Sequence, residues 1–282
     1  MADANDEVAI DFVAGLVSGG ASIFCSQPID TVLTLVQARS HSNPLPVANK
    51  FICNHGFSSL WRGSSAMIGA VPFQNAIMMA GYGFGKRWCE LHKPDNILLG
   101  IFVGGCTAGV TQSFFMSPIE LIKIKQQVIG RSFYSATSMV VHGAFSREIA
   151  WKGLGATLLR DGIPHGVWFA SYEHSKNFLN GVEGMNLSKH STAVPLVSGA
   201  VAAFTAWVVG YPFDIIKTRI QVSENRLTVL EATKDIFYES NGRLLSTFYR
   251  GFWMKIAKAV PASALNFLAY ESVAKELRLS FS

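Results

Sequence analysis

Four stretches of this chain run without a charged side chain for about the 20 residues a helix needs to cross a bilayer. They are Phe12 to Ile29, Gly63 to Gly85, Asn96 to Ile119 and Ser191 to Phe213. Two more are apolar except for internal charges. Gly153 to Tyr172 holds Arg160 and Asp161, and Gly251 to Tyr270 holds Lys255 and Lys258. The pattern predicts six spanning helices. The connections between spans 1 and 2, 3 and 4, and 5 and 6 are long. They carry weakly amphipathic segments, Tyr134 to Phe145 and Leu227 to Phe237, that predict short surface helices on one side. The links around His92 to Asp95 and Asn180 to Lys189 are short and polar. Long and short connections alternate, so the chain is built from helix pairs.

Internal repetition supports the pairing. Gln27-Pro28-Ile29-Asp30, Ser117-Pro118-Ile119-Glu120 and Tyr211-Pro212-Phe213-Asp214 recur at spacings of 90 and 94 residues, and a glutamine follows each proline by nine: Gln37, Gln127 and Gln221. A second block tracks the first in Trp61-Arg62-Gly63, Trp151-Lys152-Gly153 and Tyr249-Arg250-Gly251. Three repeats, 1–93, 94–187 and 188–282, fill the chain. Arranged around a pseudo-threefold axis, they would bury the prolines and charges at the centre. Gly15-x-x-x-Gly19, Gly105-x-x-x-Gly109 and Gly199-x-x-x-Ala203 lie on the first helix of each pair, where close backbone approach needs small side chains.

Composition narrows the class. Of 282 residues only 15% are charged, against about 25% in an ordinary soluble domain, while 49% are hydrophobic. A water-soluble globule and a disordered chain are both excluded. The net charge of +5 suits a membrane surface with anionic lipids. No basic helix or aromatic-basic stripe points to nucleic acid. Cys25, Cys53, Cys89 and Cys106 show no CxxC spacing, and the histidines, His165 included, lack i,i+4 partners, so neither a metal site nor any cofactor is expected. The opening MADANDE is acidic, the reverse of a signal or transit peptide, so targeting information is expected to be internal. Gly81-x-Gly-x-Gly-Lys86 lacks the spacing of a phosphate loop and reads as a close-packing helix end. Ser272-x-x-Lys275 has no companion motif for acyl chemistry.

With these motifs in place, the chain resembles the mitochondrial carrier family, whose signature is Pro-x-[Asp/Glu]-x-x-[Lys/Arg]-x-[Lys/Arg]-x-Gln in each of three repeats. Repeat 2 matches through Pro118, Glu120, Lys123, Lys125 and Gln127, and repeat 3 through Pro212, Asp214, Lys217, Arg219 and Gln221. Repeat 1 keeps Pro28, Asp30 and Gln37 but has Leu33 and Leu35 where bases belong. The acidic-Gly element is also degraded, to His55-Gly56 and Asn241-Gly242. The resemblance implies an all-α membrane protein of six transmembrane helices, three two-helix repeats around the axis, with short surface helices on the matrix side.

The prolines would kink the odd helices. Charges in a bilayer are costly enough, at about 2.5–3.5 kcal/mol each, that they should pair. As in the family's matrix gate, Asp30 would pair with Lys123 and Glu120 with Lys217, while Asp214 would find only leucine. Two ion pairs are therefore expected, braced by Gln37, Gln127 and Gln221. For the opposite, cytoplasmic gate the family pattern is matched by Tyr172-Glu173 with Lys176. It is incomplete at Lys86 and at Glu271 with Lys275, so that gate should be weak.

An ionisable residue near the bilayer midplane is a functional hypothesis by default. Six to eight residues past Gly63, Gly153 and Gly251, about 9–12 Å of helix, stand Gly69-Ala70, Arg160-Asp161 and Lys258. By resemblance these are the three substrate contact points, with Gln74 a possible neutral donor. Arg160 and Asp161 are sequence neighbours, so on a helix they should diverge and each be free for an outside partner. Such a pair resembles carriers of amino acids and carnitine esters, where arginine forks a carboxylate and the acid holds an ammonium. Trp168, Phe169 and Phe267 read as packing or lipid-facing. Arg62, Gly63, Lys152, Gly153, Arg250 and Gly251 offer basic, glycine-opened helix starts to a lipid phosphate such as cardiolipin.

The expectation is a monomeric, multi-pass transporter of the mitochondrial inner membrane. It would exchange a zwitterionic or cationic small metabolite by alternating access, with some uniport because one gate pair is lacking. A carrier-fold receptor or scaffold without transport is the alternative. No nucleophile-base set suggests an enzyme.

Overall fold

The glycine that opens each even span sets the architecture. Gly63, Gly153 and Gly251 have φ of 86°, 84° and 81°, left-handed values that side-chain-bearing residues rarely adopt. Each also packs on the odd helix of the next repeat. A methyl group at Gly63 would lie 2.8 Å from Lys123 Cγ, at Gly153 3.1 Å from Gln221 Cγ, and at Gly251 2.8 Å from Leu33 Cδ1. These contacts join the repeats in a circle.

A computed structural model describes residues 4–38, 43–92, 96–128, 130, 132–145, 151–181, 193–223, 227–240 and 242–280. It omits the side chains of 4–9, 11, 143–145, 193, 195–196, 260, 263–264, 266–268, 270–271 and 280. The short polar links at 93–95 and 182–189, and the side chains of Phe267 and Glu271, lie outside the described residues. In chain order the helices are α1 (Ala4–Ala38), α2 (Pro44–His55), α3 (Ser64–His92), α4 (Ile97–Val128), α5 (Phe133–Phe145), α6 (Leu154–Gly181), α7 (Ala193–Val222), α8 (Val229–Glu239), α9 (Leu244–Phe248) and α10 (Phe252–Ser280). A 3-10 turn spans Phe57–Trp61.

The six long helices run 28 to 35 residues, about 42–52 Å, more than a bilayer core of about 30 Å requires. Among the described residues, α1, α4 and α7 are long and apolar enough to cross a membrane by composition as well. The even helices α3, α6 and α10 have the length but are diluted by glycine and charge. All six carry one internal proline. Besides Pro28, Pro118 and Pro212 these are Pro72, Pro164 and Pro261, so the even helices also lose a backbone donor midway.

Helix packing runs in the order α7, α6, α4, α3, α1, α10, and α10 meets α7 through side chains, Phe252 on Tyr211 and Lys255 on Trp207. At one end α2, α5, α8 and α9 connect the pairs. There Ala156, Tyr211, Ile215, Ile220, Ile236 and Phe252 form an apolar cluster joining α6, α7, α8 and α10. Val32, Leu35 and Val36 of α1 pack with Val47, Phe51 and Leu60. Leu35, one of the two leucines in place of bases, therefore anchors α2 by apolar contact. Its counterpart Arg219 in repeat 3 ties α8 instead, with Nη2 2.7 Å from Glu239 Oε2. In repeats 1 and 3 the second basic position of the motif thus serves the surface helices.

Of the three small-residue motifs, only that on α4 marks close backbone approach. A methyl at Gly105 would lie 2.7 Å from the carbonyl oxygen of His165, and one at Gly109 would fall on the carbonyl of Asp161. Gly15 and Gly199 face open space, and Gly19 meets a side chain, Val71. Of the glycines of the Gly81-to-Lys86 segment, Gly81 and Gly85 pack closely on α4, and Gly83 does not. Gly81 lies against Ala108, and its carbonyl accepts from Thr107 Oγ1 at 2.9 Å.

Candidate functional site

The charged residues of the motif meet on the axis near the surface-helix end. Asp30 of α1 pairs with Lys123 of α4 and also with Lys258 of α10. Glu120 of α4 pairs with Lys217 of α7, and its other oxygen lies 3.0 Å from Arg160 Nη1 of α6. Lys217 is 2% exposed, so its charge is matched inside the protein and not by water.

Asp214 is not left unmatched. Its carboxylate accepts from Gln37 Nε2 at 3.0 Å, and it lies 3.4 Å from Lys255 Nζ and 3.6 Å from Arg160 Nη1. This corrects the expectation of two ion pairs only. A carboxylate 5% exposed needs a counter-charge, and α10 supplies one where α1 has Leu33. Lys255 was visible in the sequence only as a charge in a span. Its spacing of three from Lys258 puts both lysines on one helix face, a signal that could have found it.

The glutamines differ. Gln37 bonds Asp214 and accepts from Thr218 Oγ1 at 3.2 Å, and Gln127 donates to Thr31 Oγ1 at 2.9 Å. Gln221 is fully buried, and neither of its side-chain polar atoms has a partner among the described residues.

Arg160 and Asp161 do not diverge. The guanidinium folds back on its three methylenes so that Nε and Nη2 clasp the two Asp161 oxygens at 2.6 and 2.7 Å. Adjacent helix positions point apart at Cβ, but a side chain this long reaches its neighbour when no other carboxylate offers a full fork. Ser113 Oγ donates to Asp161 Oδ2 at 3.1 Å. His165 Nδ1 lies 2.7 Å from the Asp161 carbonyl oxygen, and its Nε2 lies 2.8 Å from Gln112 Nε2. Donation from Gln112 to Nε2 fixes the neutral tautomer with its proton on Nδ1. Arg160 thus faces three carboxylates, Asp161, Glu120 and Asp214.

Above this pair a cavity of about 280 Å³ opens between α3, α6 and α7. Arg160 and Asp161 line it, with Met78, Pro164, His165, Trp168, Phe169 and Trp207. Trp168 and Phe169, expected as packing aromatics, are cavity wall, and Trp207 went unremarked in the sequence. The rings continue toward the far end, Phe169 stacking on Tyr82 at 4.4 Å and Trp168 on Tyr172 at 5.6 Å. A smaller cavity of about 70 Å³ lies among Asp30, Leu33, Thr34, Gln37, Glu120 and Asp214, and Arg160 lines both. The other expected contact points lie apart. Lys258 is turned onto Asp30, Ala70 is buried, and Gly69 and Gln74 do not line the larger cavity.

At the far end Lys86 pairs with Glu90 and Glu173 with Lys176, both at 3.8 Å and within one helix, and Lys275 is exposed. Of the charges that the family pattern places there, Lys86, Glu173 and Lys176 thus pair with a neighbour on their own helix. The ring is closed by charge at the surface-helix end. At the expected lipid positions, Arg250 is engaged with Glu239 at 3.3 Å and Lys152 with the Ser223 carbonyl, while Arg62 Nη1 approaches Gly130.

Comparison with known proteins agrees with this architecture. The family model described as mitochondrial carrier protein matches three times, over residues 4–93, 96–183 and 188–280. A mitochondrial arginine transporter of Arabidopsis thaliana is 30% identical over 93% of this chain and 89% of its own length. The human mitochondrial carnitine/acylcarnitine carrier protein is 29% identical over 95% and 94%. A glutamate/glycine mitochondrial carrier of Schizosaccharomyces pombe is 26% identical over 95% and 94%.

Proposed function

The chain belongs to the mitochondrial carrier family, whose members are transporters and not enzymes. On that premise we propose that it exchanges an amino acid or carnitine-like zwitterion across the mitochondrial inner membrane. The observation that carries the substrate class is the Arg160–Asp161 pair on the floor of an aromatic-walled cavity. An incoming carboxylate can take the place of Asp161 on the guanidinium fork. Asp161 is then released to hold the substrate's ammonium, with Trp168 and Phe169 of the cavity wall beside it to favour a cation.

The axial cluster favours a carboxylate on the substrate. Arg160, Lys123, Lys217, Lys255 and Lys258 outnumber Asp30, Glu120, Asp161 and Asp214 by one positive charge. The network at the surface-helix end is the matrix gate, closed, and the cavity is open to the cytoplasmic side. Because Arg160 contacts both Glu120 and Asp214, substrate that draws it upward loosens the gate as it binds. The protein acts as a monomer, with cardiolipin phosphate against the glycine-opened starts of α3, α6 and α10.

The test is uptake by cardiolipin-containing proteoliposomes of labelled arginine, ornithine, glutamate, glycine, carnitine and acetylcarnitine, with a nucleotide and a keto acid as controls. One amino or carnitine compound should be exchanged. Arg160→Ala should lower its rate at least about tenfold and Asp161→Asn should weaken the cationic substrates most, as loss of a charge-assisted bond predicts. Transport of the nucleotide or keto acid alone would reject the substrate class. No uptake by folded protein would leave a scaffold as the function.

A further inference from the structure

The structure assigns to Lys255 the role of third latch of the matrix gate, replacing the base that repeat 1 lacks at Leu33. This rests on reading the axial network as that gate. Asp214 is the one signature acid whose place opposite on the next odd helix is apolar, because Leu33 is 2% exposed and packed against Gly251. Three groups reach its carboxylate. Gln37 is neutral, and Arg160 lies at 3.6 Å with its fork committed to Asp161. Lys255 Nζ lies at 3.4 Å and has no other carboxylate within salt-bridge distance among the described residues. Lys123 and Lys258 share Asp30 and Lys217 takes Glu120, so each acid of the gate has a lysine. Lys255 is also held from above. Its ammonium lies 4.1 Å from the centre of the Trp207 ring, a cation–π contact with a residue of the substrate cavity wall.

The substitution changes the topology of the gate. The other two latches join odd helices of successive repeats, α1 to α4 and α4 to α7. Lys255 joins α7 to α10, inside repeat 3. Between α7 and α1 the side-chain links among the described residues are hydrogen bonds, Gln37 to Asp214 at 3.0 Å and Thr218 to Gln37 at 3.2 Å, and the charged tie of repeat 3 to repeat 1 is Lys258 of α10 on Asp30.

A reporter that needs no substrate tests this. Thr34 lines the gate cavity and is 8% exposed, and among the described residues its hydroxyl donates to its own helix at Asp30 O. In a chain whose four cysteines are serine, Thr34→Cys is labelled by a membrane-impermeant sulfonated maleimide only when the gate opens. Lys255→Met should speed labelling about tenfold, since breaking a buried pair leaves an unmatched charge. Lys255→Arg should stay within about twofold of the parent, and adding Asp214→Asn to Lys255→Met should add no further increase, because one pair is being removed. Leu33→Lys in the Lys255→Met background should bring the rate back to within about twofold of the parent, by restoring a base across the α7–α1 boundary. Parent-rate labelling in Lys255→Met, tenfold labelling in Lys255→Arg, or no rescue by Leu33→Lys would each overturn the assignment. The relocated charge rescues only a gate, so misfolding cannot mimic it. A protein that moved none of the offered solutes would still report here.

Discussion

At Gly109 a side chain as small as methyl would collide with the carbonyl of Asp161, the acid on the floor of the cavity. The glycine therefore sets how closely α6 approaches α4, and with it where Arg160 and Asp161 stand. Gly109→Ala should destabilise the protein by about 1–3 kcal/mol, the range for overpacking. Gly15→Ala, which faces open space, should fall within about 0.5 kcal/mol. Thermal unfolding of the purified carrier compares them, and an equal shift in both would reject the distinction. The repeated small-residue motif identified the helices but could not say which of them touch, since that depends on where the partner backbone runs. The charges were likewise legible one by one. Asp30, Glu120, Lys123 and Lys217 pair as their motif positions suggested. The partners of Asp214, Lys258 and Arg160 were not legible, because long side chains choose among acids that only the assembled ring brings together.

Among the elements, the long helices were plain from their uncharged runs, and the surface helices from weaker amphipathic segments, with boundaries shifted by capping. The segment beginning at Leu227 becomes helical only at Val229, because Thr228 is the N-cap. Its hydroxyl accepts from the Glu231 backbone N–H at 3.2 Å, and the Glu231 carboxylate accepts from the Thr228 backbone N–H at 2.8 Å and from its hydroxyl at 2.9 Å, a capping box. These bonds hold the Glu231 carboxyl below the ordinary carboxylate value. A carboxyl whose folded pKa is depressed stabilises the fold above its unfolded pKa, about 4.3, and loses that contribution as pH falls through the folded value. The first turn of α8 should therefore loosen in acid. Amide exchange at Val229 to Ala232 should rise below about pH 4 in the parent relative to Glu231→Gln, because the amide cannot titrate. Parallel pH profiles in the two would reject the cap as the cause.

Across the whole molecule, two lysines depend on one acid. Asp30→Asn strands Lys123 and Lys258 together, and should cost about 3–5 kcal/mol, as removal of one side of a buried ionic cluster does. Lys258→Met leaves Asp30 paired with Lys123 and should cost clearly less, which unfolding midpoints of the two variants will rank. The sequence made the threefold plan visible through Pro28, Pro118 and Pro212. It also marked the departure from that plan through Leu33, without showing where the chain compensates. That compensation shapes how the molecule can move. Three equal fastenings would let the ring dilate evenly, like an iris. Here the pairs α1–α4 and α4–α7 are each joined by a lysine on an acid, whereas repeat 3 is tied to repeat 1 through Lys258 of α10 on Asp30, with Gln37 and Thr218 bridging α7 and α1. Such a ring is fastened unevenly: α7 and α1 are the odd helices expected to part first, like a door on the hinge of α4, and the path for the solute should then open off the axis.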